Sequence, residues 1–302
     1  MQKTKFGPIA ILIAVVATLC VAMPVQASER ISIPAGAHHE GTLETRNSPI
    51  TVGDGVEIEG DIRSRNGSLT IGDEVVAGDV STRNGSVTLG QGGRFGDVST
   101  RNGSVRINSG TEARSISTRN GSISISSDSV IDGKVRTRNG SVRLEQNTRV
   151  ADDVRTRNGR IALEPGVEVA GHATTRNGDI SLERAHVGRN LQSRGGDLTV
   201  RDGSRIGGDA VIELTESQAG RRGGFFGMGG TRTYPEAGDI RILGGSEVDG
   251  DIVVSLPADY DERVPTVKID ADSRVHGNLR IDERVELIVD GQVGGRIERT
   301  SP

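Results

Sequence analysis

The chain has no tryptophan, two tyrosines and four phenylalanines in 302 residues. A compact globule of this size fills its centre with aromatic bulk, so the composition argues for a thin core instead. The one cysteine, Cys20, lies in the first 27 residues, and the rest of the chain can form no disulfide and do no thiol chemistry. Past residue 23 there is no apolar run long enough for a membrane span, so none is expected after residue 27. Neither sign of charge dominates: the net charge is −4, and without Lys3 and Lys5 it falls to about −6. That balance gives no global pull toward nucleic acid, and without aromatics between the basic residues there is nothing on which bases could stack.

Catalytic and metal signatures are equally thin. His38 and His39 are adjacent and would face opposite ways on a strand, while His172, His186 and His276 stand apart in sequence. No Gly-Gly-x-Gly-x-Asp calcium repeat occurs. No carboxylate pair stands out from the recurring Gly-Asp dipeptides, and there is no aromatic platform for a sugar. The expectation is therefore a non-enzyme without cofactor or metal. A polysaccharide-active β-helix enzyme is the catalytic alternative.

What is present begins with an address. Lys3 and Lys5 precede a mostly apolar stretch over residues 9–23, and Val25-Gln26-Ala27 puts a small residue at a cut before Ser28. Residues 1–27 thus read as a secretory signal peptide, and the protein as exported, periplasmic or extracellular. Leu19 ahead of Cys20 speaks against a lipoprotein, which wants a small residue there.

The dominant feature is a five-letter phrase close to Thr-Arg-Asn-Gly-Ser. It is written nine times, with its arginine at positions 46, 65, 83, 101, 119, 138, 157, 176 and 194, always 18 or 19 residues apart. So short and regular a period is one turn of a coil. In residues 86–101, Val87 and Leu89 alternate with Thr88, the stretch 90–93 is a turn, Phe95 opens a second short side closed by Gly96, and Val98 and Thr100 alternate with Ser99 and Arg101. Asn102-Gly103 makes the last corner, where both residues tolerate a left-handed backbone. Three strands and three corners predict an all-β, single-stranded, three-sided parallel β-helix, a β-solenoid of about 18–19 residues per turn and roughly a dozen turns. A meander of antiparallel hairpins is the alternative reading of Asn-Gly, but each interval between these corners holds two further turn signals. Parity places Val98 and Thr100 inside, Arg101 outside and Asn102 at or just inside the corner, where stacked Asn side chains can bond to one another.

A second signature, apolar-x-Gly-polar-apolar, runs through both halves, from Ile58-Glu59-Gly60-Asp61-Ile62 to Val293-Gly294-Gly295-Arg296-Ile297. The predicted organisation is a solenoid over 28–215, a Gly-rich inserted loop over 216–238, and C-terminal solenoid turns over 239–302 with a short loop at 257–265, both loops leaving the rod. The alternation of this signature with short Val-x-Ile strands resembles the bactofilins, a polymer-forming bacterial cytoskeletal family, and also the adhesin-type β-strand repeat proteins. The resemblance covers most of residues 52–299. It implies right-handed three-sided coils that polymerise end to end without nucleotide or metal, and it brings no catalytic residues.

Of the five repeated letters, arginine is the one that packing does not require. The candidate surface for an anionic partner is Arg83, Arg101, Arg119, Arg136, Arg138, Arg143, Arg155, Arg157, Arg160 and Arg176; the bland alternative is a solvated face that discourages sideways strand pairing. A second candidate, for a membrane or partner, is Arg221, Arg222, Phe225, Phe226 and Met228 in the Gly-rich loop, unless its phenylalanines cover the solenoid. The functional expectation is an exported structural scaffold, adhesin or polymer-forming envelope protein with an outward arginine ladder as docking face. The alternative is a binding module for an anionic envelope polymer. Expected partners are further copies joined end to end, and acidic polysaccharide, lipopolysaccharide or an envelope protein; nucleic acid is not expected.

Overall fold

In the computed structural model, which describes residues 30–214 and 238–301, the chain is all-β, with no helix among the described residues. The expected signal peptide and the candidate residues Arg221, Arg222, Phe225, Phe226 and Met228 lie outside the described residues. None of the described residues forms a helix long and apolar enough to cross a membrane.

Each turn lays down three short strands, and each strand pairs in parallel with its equivalent one turn away. The first side is a 13-stranded sheet that starts with Ile31–Ile33, Ile50–Val52 and Leu69–Ile71 and ends with Glu286–Val289. The second side carries pairs such as Arg149–Val150 on Glu168–Val169, and the third carries Ile62–Ser64 under Val80–Thr82. At one strand spacing per rung, 13 rungs make a rod about 60 Å long.

The strands are short because each apolar pair suffices to cross the lumen. Val87 and Leu89 are fully buried around an outward Thr88, and the same in-out-in order holds in Val105–Ile107 and Ile123–Ile125. Stacking aligns like residues, so Ile50, Leu69, Val87, Val105, Ile123, Val142, Ile161, Ile180 and Leu198 form one continuous buried row. Each such side chain is worth about 1.5–3 kcal/mol of apolar burial. A lumen this narrow takes few rings: Phe95, 7% exposed, is accommodated in the inward row of the second side between the small Ala77 and Ala113, and Tyr260 is 8% exposed.

Three details differ from the sequence reading. Arg94–Thr100 is one continuous strand rather than two short ones, as is Glu112–Ser117. The corner between second and third sides is one residue shorter in these turns than where Val130–Ile131 leads to Val135–Arg136, and the chain crosses it without a break. The corner asparagines point outward and are exposed, not tucked inside. And the glycine after most of them is demanded by space alone, while Gly159 and Gly178 combine the same close approach with a positive φ. Gly85, Gly103, Gly121 and Gly140 do not have positive φ, whereas a Cβ on Gly103 would stand 2.5 Å from the carbonyl carbon of Gly85.

Both interruptions of the repeat fall at the same corner, between the third side and the first. Residues 215–237 separate Ala210–Glu213 from Ile240–Ile242, and 257–265 separate Ile252–Ser255 from Thr266–Ile269. The ladder continues across the first of them, with Leu198 opposite Ile240 and Ala210 opposite Ile252. The 257–265 stretch, expected to leave the rod, packs down on it: Tyr260 is buried, its hydroxyl donates to the Arg263 carbonyl at 2.7 Å, and Arg284 donates to the Pro257 carbonyl at 2.9 Å. Asp239, where the chain rejoins the rod, accepts from Arg263 at 2.9 Å and from the Thr266 backbone at 2.9 Å.

Candidate docking edge

The repeated phrase builds one corner, and four of its five letters are consumed by contacts that hold it. The inward threonine hydroxyl donates to the carbonyl of the corner glycine in the preceding turn: Thr100 to Gly85 at 2.9 Å, Thr118 to Gly103 at 2.9 Å, Thr137 to Gly121 at 2.8 Å, Thr156 to Gly140 at 2.8 Å. Asparagine amides form an unbroken ladder, each donating to the side-chain oxygen one turn earlier, from Asn66 on Asn47 to Asn177 on Asn158, at 2.6–2.8 Å. Glycine supplies the close approach. The following serine hydroxyl accepts the next turn's backbone N–H, as Ser104 does from Ser122 at 3.3 Å.

Arginine is the letter left over. Its backbone carbonyl is fixed by the N–H of the next turn's asparagine, Arg83 by Asn102 and Arg101 by Asn120 at 2.9 Å, which holds the column in register. Its side chain is free. Arg46, Arg65, Arg83, Arg101, Arg119, Arg138, Arg157 and Arg176 make no ion pair and no side-chain hydrogen bond among the described residues, and all are exposed except the half-buried Arg157 and Arg176. Arg194, in the degenerate ninth copy, differs: it reaches Glu213 at 3.6 Å.

The second side shows how the same rod treats charge elsewhere. Its outward column runs His38, Glu57, Val76, Arg94, Glu112, Val130, Arg149, Glu168, His186, Arg205, Glu247, Arg274. Charges alternate and pair up the stack: Arg94 with Glu112 at 3.6 Å, Arg149 with Glu168 at 3.3 Å. Exposed pairs of this kind add little stability, but they neutralise the face. The arginine corner has the same rung spacing and none of this compensation.

The structure divides the ten arginines marked from sequence. Arg83, Arg101, Arg119, Arg138, Arg157 and Arg176 stand in the corner column. Arg136 and Arg155 lie two residues ahead of it on the third side; Arg136 has no partner among the described residues, while Arg155 is held by Asp153 at 2.9 Å. Arg143 belongs to the first side and is bound by Glu164, and Arg160 is bound by Asp179 at 2.9 Å. The last two became charged neighbours in a count along the chain but are neutralised in space. Arg46 and Arg65 extend the column by two rungs beyond the marked set, and their place in the repeated phrase was the available signal.

Short hydroxyls flank the column on both sides. Ser81, Ser99 and Ser117 form the adjoining outward row of the third side, half-buried, with no side-chain hydrogen bond among the described residues. Ser86, Ser104 and Ser122 run along the other flank. On these three rungs the corner guanidinium stands between two hydroxyls; on the other rungs the third-side neighbour is Glu44, Arg63, Arg136, Arg155 or Thr174. Arginines also line two shallow grooves there, Arg46, Arg63, Arg65 and Arg83 at one and Arg136, Arg138 and Arg157 at the other.

The Gly-Asp signature is structural. Asp61 accepts the backbone N–H of Asp79 and Asp79 that of Asp97, both at 2.8 Å, and Asp153 accepts from His172 at 2.9 Å. A Cβ on Gly171 would lie 2.6 Å from the Asp153 carboxylate and one on Gly277 2.5 Å from that of Asp251, so the glycine in each turn makes room for the aspartate below. Arg114 clamps Asp97 at 2.7 and 2.8 Å and also reaches Asp79; its hydrogen bond holds Asp97 below the usual carboxylate range. Burial acts to raise Asp153, but the His172 N–H it accepts, with Arg155, His172 and Lys134 nearby, leaves it lowered. None of these aspartates meets the arginine column.

His276, apart in sequence, comes together with Glu247 and Asp249 in a group that could hold a cation. Arg205 already occupies it, reaching Asp249 at 3.0 Å and Glu247 at 3.8 Å.

No family model matches the sequence, and comparison with curated proteins and with solved structures finds no match.

Proposed function

We propose that the protein is an exported, non-catalytic β-solenoid scaffold of the cell envelope whose arginine corner docks on an anionic polymer. One observation carries the reading: eight stacked arginines, from Arg46 to Arg176, have no side-chain partner among the described residues, in a motif whose other letters all serve the fold. Selection for solubility alone is met on the second side by alternating charge, which leaves the uniform column without a structural purpose. Arginine suits such a role because its planar fork binds carboxylate or phosphate through two hydrogen bonds and stacks on its own kind more readily than lysine does. A rigid row of such groups binds by many weak contacts at once, so affinity grows with the number engaged.

The test is retention of the protein on an immobilised acidic polysaccharide. Arg138→Ser/Arg157→Ser should elute at clearly lower salt than the unaltered chain while keeping its circular dichroism spectrum. Unchanged retention in both low and moderate salt refutes the docking role.

A specific observation favours a second property, end-to-end assembly, which the bactofilin resemblance also implies. At the two ends of the rod the lumen rows are only partly covered: Ile31 and Ile33 at one, Leu287, Val289 and Val293 at the other, with Ile297 half-exposed. By register Leu287 continues the row of Ile31, so a second copy could extend the ladder. Sedimentation and negative-stain imaging that find only monomers at high concentration would remove this property and leave the docking edge standing.

A further inference from the structure

We infer that the polymer this edge fits is a linear acidic polysaccharide with a carboxylate on every sugar, lying along the rod axis, one sugar per turn. The inference rests on the docking role proposed above and narrows it to a ligand class.

Three features select the ligand. The first is shape. The corner arginines, without a partner among the described residues, form a column from Arg46 to Arg176, eight rungs and about 34 Å long. A line of charge fits a linear polymer: the row beside it adds Arg63, Arg136 and Arg155, of which Asp61 and Asp153 bind the first and last, so a flat membrane surface would meet one narrow ridge. The second is pitch. Successive arginines are set one strand spacing apart, about 4.8 Å, close to the advance of one 1,4-linked pyranose along its chain. The backbone bonds from each asparagine to the preceding arginine fix that spacing over the whole column. Charges in polyphosphate recur more closely. In single-stranded nucleic acid they recur more widely, and the bases would need aromatic faces that this corner lacks. Arginine is long enough to reach carboxylates on either edge of a ribbon one sugar thick.

The third is the floor. Ser81, Ser99 and Ser117 on one flank and Ser86, Ser104 and Ser122 on the other present hydroxyls beside the guanidiniums; Ser104 and Ser122 each accept a backbone N–H from the next turn, which leaves their proton to donate. A hydroxyl both donates and accepts, which complements the ring hydroxyls of a sugar and offers little to a bare phosphate chain. Carboxylate to guanidinium and hydroxyl to hydroxyl thus recur together on every rung of the middle turns.

The column's length sets the experiment. Calorimetric titration of the full-length exported protein with oligogalacturonates of graded length should show affinity rising about twofold per added sugar, the worth of one exposed ion pair. From about four to about eight sugars the gain is roughly sixteenfold; beyond about eight, where the column ends, only the slow statistical rise of a longer lattice remains. Hyaluronate, with one carboxylate per two sugars, engages half as many arginines and should bind roughly tenfold or more weakly than an oligogalacturonate of equal length. Arg101→Ser/Arg119→Ser should lose about fourfold for the oligogalacturonate and leave the far-ultraviolet spectrum unaltered. Equal affinity for hyaluronate and oligogalacturonate, or preference for polyphosphate of matched charge or for anionic vesicles, overturns the polysaccharide assignment while the docking role stands. Absence of binding to all four, with no effect of the arginine substitutions, ends both.

Discussion

If arginine serves a ligand and not the fold, removing it must not harm the fold. Consider Arg101→Gln/Arg119→Gln. The two side chains are exposed, carry no ion pair among the described residues and stand between Arg83 and Arg138. Their substitution deletes three nearest-neighbour repulsions, 83 to 101, 101 to 119 and 119 to 138. At one strand spacing in water each is worth under about 1 kcal/mol, and physiological salt removes roughly half of it. Splaying of the side chains lowers the sum further, so the double variant should be as stable as the parent or more stable by up to about 1 kcal/mol. For a chain of this size that is a Tm higher by about 2 °C. The difference should widen at low salt and vanish at high salt. Asn102→Ala is the contrast, since it breaks two rungs of the amide ladder, to Asn84 and from Asn120, each worth about 0.5–1 kcal/mol net. Thermal and denaturant unfolding followed by circular dichroism decides it. A Tm for the arginine variant as low as that of Asn102→Ala would show the guanidiniums to be structural, and the docking proposal would lose its foundation.

Two further outcomes follow from the corners. Gly103→Ala puts a Cβ against backbone, 2.5 Å from the Gly85 carbonyl carbon, so two rungs must part; the expected cost is about 3 kcal/mol or more, with hydrogen exchange accelerated in the turns on either side. On the acid side, Asp97, Asp153, Asp270 and Asp282 all titrate below the ordinary carboxylate value. Groups lowered in the folded state contribute stability that is present above the unfolded pKa of about 4 and is lost as pH falls through the folded values. The denaturation midpoint should therefore be flat from about pH 5 to 8 and fall below about pH 4, with a shallower acid limb in Asp153→Asn; a midpoint that held steady into strong acid would contradict these contacts.

The period of the arginines made the coil legible, and the alternation of Val98, Ser99, Thr100 and Arg101 told inside from outside. Other features needed the third dimension. The aspartate of Gly-Asp shows no role in the linear sequence, because its partner is a backbone N–H one turn away, 18 or 19 residues along the chain. The outward series Glu57, Arg94, Glu112, Arg149 and Glu168 shows no pattern until the turns are stacked, although it is what gives the uniform corner its meaning. Local charge density overcounted Arg143 and Arg160, since Glu164 and Asp179 approach them only through the coil. That the two interruptions share one corner is not visible along the chain, because that corner is a property of the stack.

The docking edge exists only if the arginines stand one per turn, in register and facing water. Spin labels on cysteines introduced in pairs at these positions measure this directly, because no native cysteine follows Cys20. Labels at Arg65 and Arg138, four turns apart, should be separated by about 19 Å, and labels at Arg46 and Arg176, seven turns apart, by about 34 Å, on one straight line against turn number. Mobile, water-accessible labels with that slope are the predicted result. Separations that do not grow evenly with turn number, or immobilised labels shielded from water, would contradict it.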